Sequence, residues 1–119
     1  MLPPSITVYA KDAKGDVRPV RTIQGAKTQM DWSTGMAVDY ERNEIFLAND
    51  GGNSMLVFDA SAGGDVAPLR ALKGPKSLIS NPTGVYLDKT NNELWVSTLA
   101  IIRRPSTVLR RKATQSRFV

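Results

Sequence analysis

The sequence predicts an all-β protein built from antiparallel units of four short strands, with about two such units in its 119 residues. Three observations predict it. First, the chain repeats itself: residues 5–49 align without a gap over residues 54–98, an offset of 49, and 15 of the 45 positions are identical. The identities fall at turns as well as in apolar runs, with Gly15-Asp16 over Gly64-Asp65, Gly25 over Gly74, Gly35 over Gly84 and Asp39 over Asp88. Second, the apolar residues come in short runs rich in β-branched and aromatic side chains, bounded by turn residues, as strands require. Third, no window places apolar residues at helical spacing behind a capping residue.

The elements follow in order. Residues 1–4 are a short lead, residues 5–53 the first repeat, residues 54–100 the second, and residues 101–119 a basic tail. In the first repeat Ile6-Thr7-Val8-Tyr9 alternates as a strand, and Lys14-Gly15-Asp16 is turn chemistry. A second strand is expected over residues 19–23, with Pro19 first, where no ladder hydrogen bond is lost. Residues 35–39 form a third, and Glu41-Arg42-Asn43 turns tightly into a fourth over residues 44–48. The second repeat has the same order and ends in residues 93–97.

Composition narrows the chemistry. With 41% hydrophobic and 23% charged residues the chain is globular rather than disordered. Without Cys there is no disulfide, thiolate metal site or thiol nucleophile, and without His the usual general base is missing. Apolar runs fall far short of the roughly 18 residues a spanning helix needs, and residues 1–5 carry neither a basic nor an apolar signal-peptide region. The net charge of +5 belongs to the tail. Residues 1–100 hold 10 Lys+Arg against 11 Asp+Glu, whereas residues 101–119 hold six basic residues and no acid. Such a tail suits an anionic surface, but with no aromatic interleaving before Phe118 and no recognised motif, nucleic-acid binding is not favoured.

Four strands per unit and a period near 50 are the signature of propeller blades. The run Asn81-Pro82-Thr83-Gly84-Val85-Tyr86-Leu87-Asp88, then Asn92-Glu93-Leu94-Trp95-Val96-Ser97, resembles the NHL-type repeat. Its marks are Pro-x-Gly, an apolar strand ending in Asp, and a following strand opened by Glu. Residues 53–58 followed by Gly64-Asp65-Val66-Ala67-Pro68-Leu69-Arg70 resemble bacterial NHL-like repeats. The resemblance covers residues 5–100. It implies an incomplete β-propeller, since the family closes a ring with about six or seven blades. One blade is expected whole, over residues 34–74, with the outer half of the preceding blade in residues 5–25 and the inner half of the next in residues 83–100. The chain then reads as a fragment. The tail breaks the repeat at Ile101, and a reading frame one base upstream is compatible with a third repeat, so a frameshifted, poorly ordered tail is expected.

The resemblance implies a binding or scaffold module, contacting a protein or small-molecule ligand through its loops, with no cofactor. Exposed faces of an incomplete ring imply self-association. Its alternative is part of a metal-dependent lactonase or strictosidine-synthase-like hydrolase, inactive as this fragment. There Ca²⁺ or another divalent metal would be held by Glu, Asn and Asp, and Asn49, Asp50 and Asn81 would supply only part of the set. Relatives of this kind are often secreted or periplasmic.

No catalytic residue is assigned. Asp39 and Asp88 recur at the structural offset and read as turn carboxylates bonding their own backbone, as do Asp16 and Asp65. Arg21 and Arg70 read as structural donors to a carboxylate or carbonyl of a neighbouring blade. Loop residues that do not repeat are the better ligand-binding candidates, because loops carry function on a repeated scaffold. These are Asn49, Asp50 and Asn53 in a polar loop, Asn81, and Trp32, which stands where the second repeat has Asn81. Trp32 has two readings, stacking on a ligand or plugging against the next blade, and the packed reading is preferred. Trp95, which lies in a strand where the first repeat has Phe46, is expected in the core.

Overall fold

Short runs of β-formers separated by turn residues give eight strands in a computed structural model that describes residues 2–99. They are β1 (Ser5–Val8), β2 (Arg21–Gln24), β3 (Ser33–Asp39), β4 (Glu44–Asn49), β5 (Ser54–Asp59), β6 (Arg70–Lys73), β7 (Pro82–Asp88) and β8 (Glu93–Thr98). All pair antiparallel, in three sheets ordered β1-β2, β3-β4-β5-β6 and β7-β8. The protein is all-β, as the sequence predicts. The expected tail over residues 101–119 lies outside the described residues. No helix among the described residues is long and apolar enough to cross a membrane.

Residue pattern dictates the layering. β4 and β5 are buried along nearly their whole length, so both faces must be covered. Their register pairs Ile45 with Phe58 and Leu47 with Leu56 on one face, and Phe46 with Val57 and Ala48 with Met55 on the other. The first face packs on Ile6 and Ile23 of β1-β2. The second packs on Val85, Leu87, Leu94 and Val96 of β7-β8. The four-stranded sheet is thus the middle layer of three, and the core lies on its two sides.

Turn chemistry sets the boundaries. Asn43 and Asn92, both at φ 57, close the β3-β4 and β7-β8 hairpins in the left-handed conformation that Asn tolerates. β3 and β7 each begin with a bulge, before Gly35 and Gly84, so both strands start earlier than the apolar run suggests. β2 starts at Arg21 rather than Pro19, although Val20 still donates its N–H to Val8 at 2.7 Å. Two single 3₁₀ turns, Ala26–Thr28 and Pro75–Ser77, follow Gly25 and Gly74. Thr28 and Ser77 close them by donating their hydroxyls to the carbonyls of those glycines, at 2.6 Å each. These turns leave no periodicity for a sequence reading to detect.

The two repeats are stitched together where the Gly64-Asp65 turn of the second meets residues 22–27 of the first. Gly64 bridges to Ile23, exchanging backbone bonds with Thr22 and Gln24 at 2.7 and 3.1 Å. Asp65, expected to bond its own turn, instead accepts the Lys27 N–H at 2.8 Å, across to the other repeat. Arg21 donates Nε and Nη2 to the Ala60 carbonyl at 3.1 and 2.6 Å. Gly25 is required here: its φ is 136, and a Cβ would overlap the Asp65 carboxyl group.

Trp95 corrects an expectation. It is 58% exposed, whereas Phe46 at the equivalent position is 7% exposed. Phe46 faces β7-β8, but among the described residues no further sheet covers the far side of β7-β8.

Candidate functional site

The candidate loop residues gather at one end of the molecule, where β4 hands over to β5 and where β3 and β7 begin. Asn49 ends β4 with its side chain pointing inward, 1% exposed. Its Oδ1 accepts the Asp31 N–H at 2.7 Å, and its Nδ2 donates to the Gln29 carbonyl and the Ser54 hydroxyl at 3.0 and 3.1 Å. Asn49 is thus a buried strut tying three segments together, with both its amide oxygen and nitrogen bonded within the fold.

The other three polar candidates form a surface lattice. Asn53, at φ 48, accepts the Asn81 N–H on Oδ1 at 2.8 Å. Asn81, also at φ 48, donates Nδ2 to Asp50 Oδ1 at 2.9 Å. The backbone of Asp50 in turn donates to the Trp32 carbonyl at 3.1 Å, and Gly51 donates to the Asp31 carbonyl at 2.8 Å. Asp50, Asn53, Asn81 and the Trp32 backbone are therefore one connected patch.

Trp32 crowns this patch, 73% exposed. The packed reading preferred from sequence does not hold, because the side chain lies on the outside of the loop. Its φ is 60, a left-handed conformation that suits Asn81 at the equivalent position and strains a bulky side chain. An aromatic ring is thus held in solvent by a strained backbone, beside amide and carboxylate groups.

A divalent metal does not fit these residues. Asn49 Oδ1 and Asn53 Oδ1 are turned to backbone N–H groups, and Asn81 presents its amide nitrogen, not its oxygen, to Asp50. Asp50 is the patch's one acidic candidate, short of the several oxygen ligands Ca²⁺ demands. Among the described residues no group of three or more His, Cys, Asp or Glu is placed to hold a metal ion.

A concavity that the sequence reading missed lies at the opposite strand ends. It is a cleft of about 410 Å³ between the middle sheet and β7-β8, floored by Phe46, Met55, Val57, Leu72, Leu87 and Leu94. On its rim Arg70 donates Nη1 and Nη2 to the two Glu44 carboxylate oxygens at 3.0 Å each, and its guanidinium lies 5.7 Å from the Phe46 ring centre. The Arg70 bonds hold the Glu44 carboxyl below its ordinary range. The two Asp turns behave as expected. Asp39 accepts the Glu41 and Arg42 N–H groups at 3.0 and 3.3 Å. Asp88 accepts the Asn91 side chain and backbone, which lower its pKa. The recurrence of Arg21 and Arg70 was a signal of structural use, but not of its form. Arg21 reaches a carbonyl of the next repeat and Arg70 a carboxylate of its own sheet.

Comparison with protein-family models, with curated proteins and with solved structures gave no match.

Proposed function

We propose that the chain is a two-repeat stretch of an NHL-like β-propeller that serves as a binding or scaffold module. Its loop patch around Trp32 would contact a protein or a small molecule. The gapless repeat and the four-stranded sheet order support the blade reading. The exposed, backbone-strained Trp32 carries the functional part of it, since strain persists where the surroundings over-determine it and such places cluster at functional sites. Neither a cofactor nor a metal enters this reading. The hydrolase alternative gains nothing from the patch, whose oxygen donors are already engaged.

The test uses a Trp95→Phe background, which leaves Trp32 as the only tryptophan. Its emission is followed against a panel of aromatic small molecules and aromatic-containing peptides. A saturable shift is the expected result, with the heat of binding of the same ligand, read by calorimetry, lost in Trp32→Asn. Binding that leaves Trp32 emission unchanged and survives Trp32→Asn would contradict it.

A further inference from the structure

We propose that copies of this chain join head to tail, with β8 of one copy pairing along β1 of the next. Self-association in this form stands whether or not the loop patch binds a ligand. Among the described residues, β8 pairs only with β7, and β1 only with β2, so each leaves a strand edge open. Open edges are templates for pairing with another chain. The internal repeat identifies the template. At the offset of 49, β8 is the counterpart of β4, and β1 the counterpart of β5. Those two strands already pair, Phe46 opposite Val57 and Ala48 opposite Met55. Transferred to the open edges, that register sets Trp95 opposite Val8, and Ser97 opposite Ile6, of the second copy. The result is a four-stranded sheet β7-β8-β1-β2, in the order of the middle sheet.

Three further observations select a second copy as the occupant. The cleft beside β8 is the space that an added β1-β2 hairpin would fill, with an apolar floor on the outer strands of the middle sheet. The apolar residues left exposed are complementary. Tyr86 and Trp95 lie on the far face of β7-β8, 66% and 58% exposed, and Met36 and Val38 lie bare on β3, 52% and 37% exposed. Phe46, the counterpart of Trp95, packs on Val85 and Leu87, the counterparts of Met36 and Val38. The stitch between repeats also has its two unused halves. Gly25 receives Asp65, whereas its counterpart Gly74, at φ 110, has open space where a Cβ would stand. Asp16, the counterpart of Asp65, is exposed on its turn. Docking of the second copy brings Asp16 to Gly74 and to the Lys76 N–H. The two surfaces differ, so the contact is heterologous and propagates to a ring or a filament.

The full chain is examined by sedimentation across a micromolar concentration series. Wild type is expected to form species larger than a monomer that grow with concentration. Trp95→Glu and Met36→Glu, each at an exposed position, are expected to be monomeric alone. Mixed in equal amounts they should form a dimer and stop there, because each retains the end that the other has lost. Asp16→Ala, at a side chain outside the core, is expected to weaken association about tenfold, as loss of a charge-assisted hydrogen bond implies. It carries the test if a Glu variant loses its β-sheet circular dichroism. Wild type that stays monomeric throughout, as it would if residues 101–119 of the same chain occupied the β8 edge, would overturn the proposal. So would assembly that survives both Glu variants, or a mixture of folded variants that remains monomeric.

Discussion

Asn49 and Trp32 show what a single residue discloses in sequence and what it withholds. Both belong to the loop end that the polar run 49–53 and the non-repeating position 32 point to. The placement was legible; the side-chain direction was not. Asn49 is the last residue of a strand, and alternation alone does not say that its amide turns under the loop to meet Asp31, Gln29 and Ser54. Trp32 is aromatic, and burial is the ordinary fate of an aromatic ring. Its left-handed backbone, imposed by a turn that carries Asn in the second repeat, turns it outward. Two outcomes follow. Asn49→Ala should destabilise the fold by about 1–3 kcal/mol in urea unfolding, since it strands buried hydrogen-bonding partners. Trp32→Asn should stabilise it by about 1 kcal/mol by relieving the backbone, whatever it does to binding.

At the scale of elements, the sequence was most legible where strands and turns recur. The eight strands and the Asn hairpin turns stand near the positions that the period predicts, because their signals are local. The stitch between repeats was not legible, since Asp65 finds Lys27 38 residues away. The fold makes equivalent positions unequal. Phe58 is fully buried and its counterpart Tyr9 is 48% exposed. Phe58→Ala should therefore cost about 3–5 kcal/mol, and Tyr9→Ala far less, by the same urea measurement. The Glu44–Arg70 pair gives a pH-dependent outcome. Arg70 lowers the Glu44 pKa, so the pair's stabilisation is complete above the ordinary carboxylate range. It is lost as the pH falls through the depressed folded value. Glu44→Gln should cost about 0.5 kcal/mol at neutral pH, because Arg70 is largely exposed. The difference from wild type should disappear in acid.

At the scale of the whole molecule, the middle sheet is packed on both faces, whereas among the described residues no sheet covers the far face of β7-β8. The core surrounds β4 and β5, while Tyr86, Trp95, Met36 and Val38 meet water. Composition and periodicity cannot show this, because Trp95 and Phe46 look alike in sequence and differ only in what lies over them. Repeat units gain most of their stability from interfaces with their neighbours, so association that covers these four exposed residues should stabilise the fold. The most direct check is thermal unfolding of the purified chain, with sedimentation alongside, from low to high micromolar concentration. The expected result is a melting temperature that rises with concentration as association stabilises the folded state. A single monomeric species with a sharp melt at the same temperature throughout would contradict it.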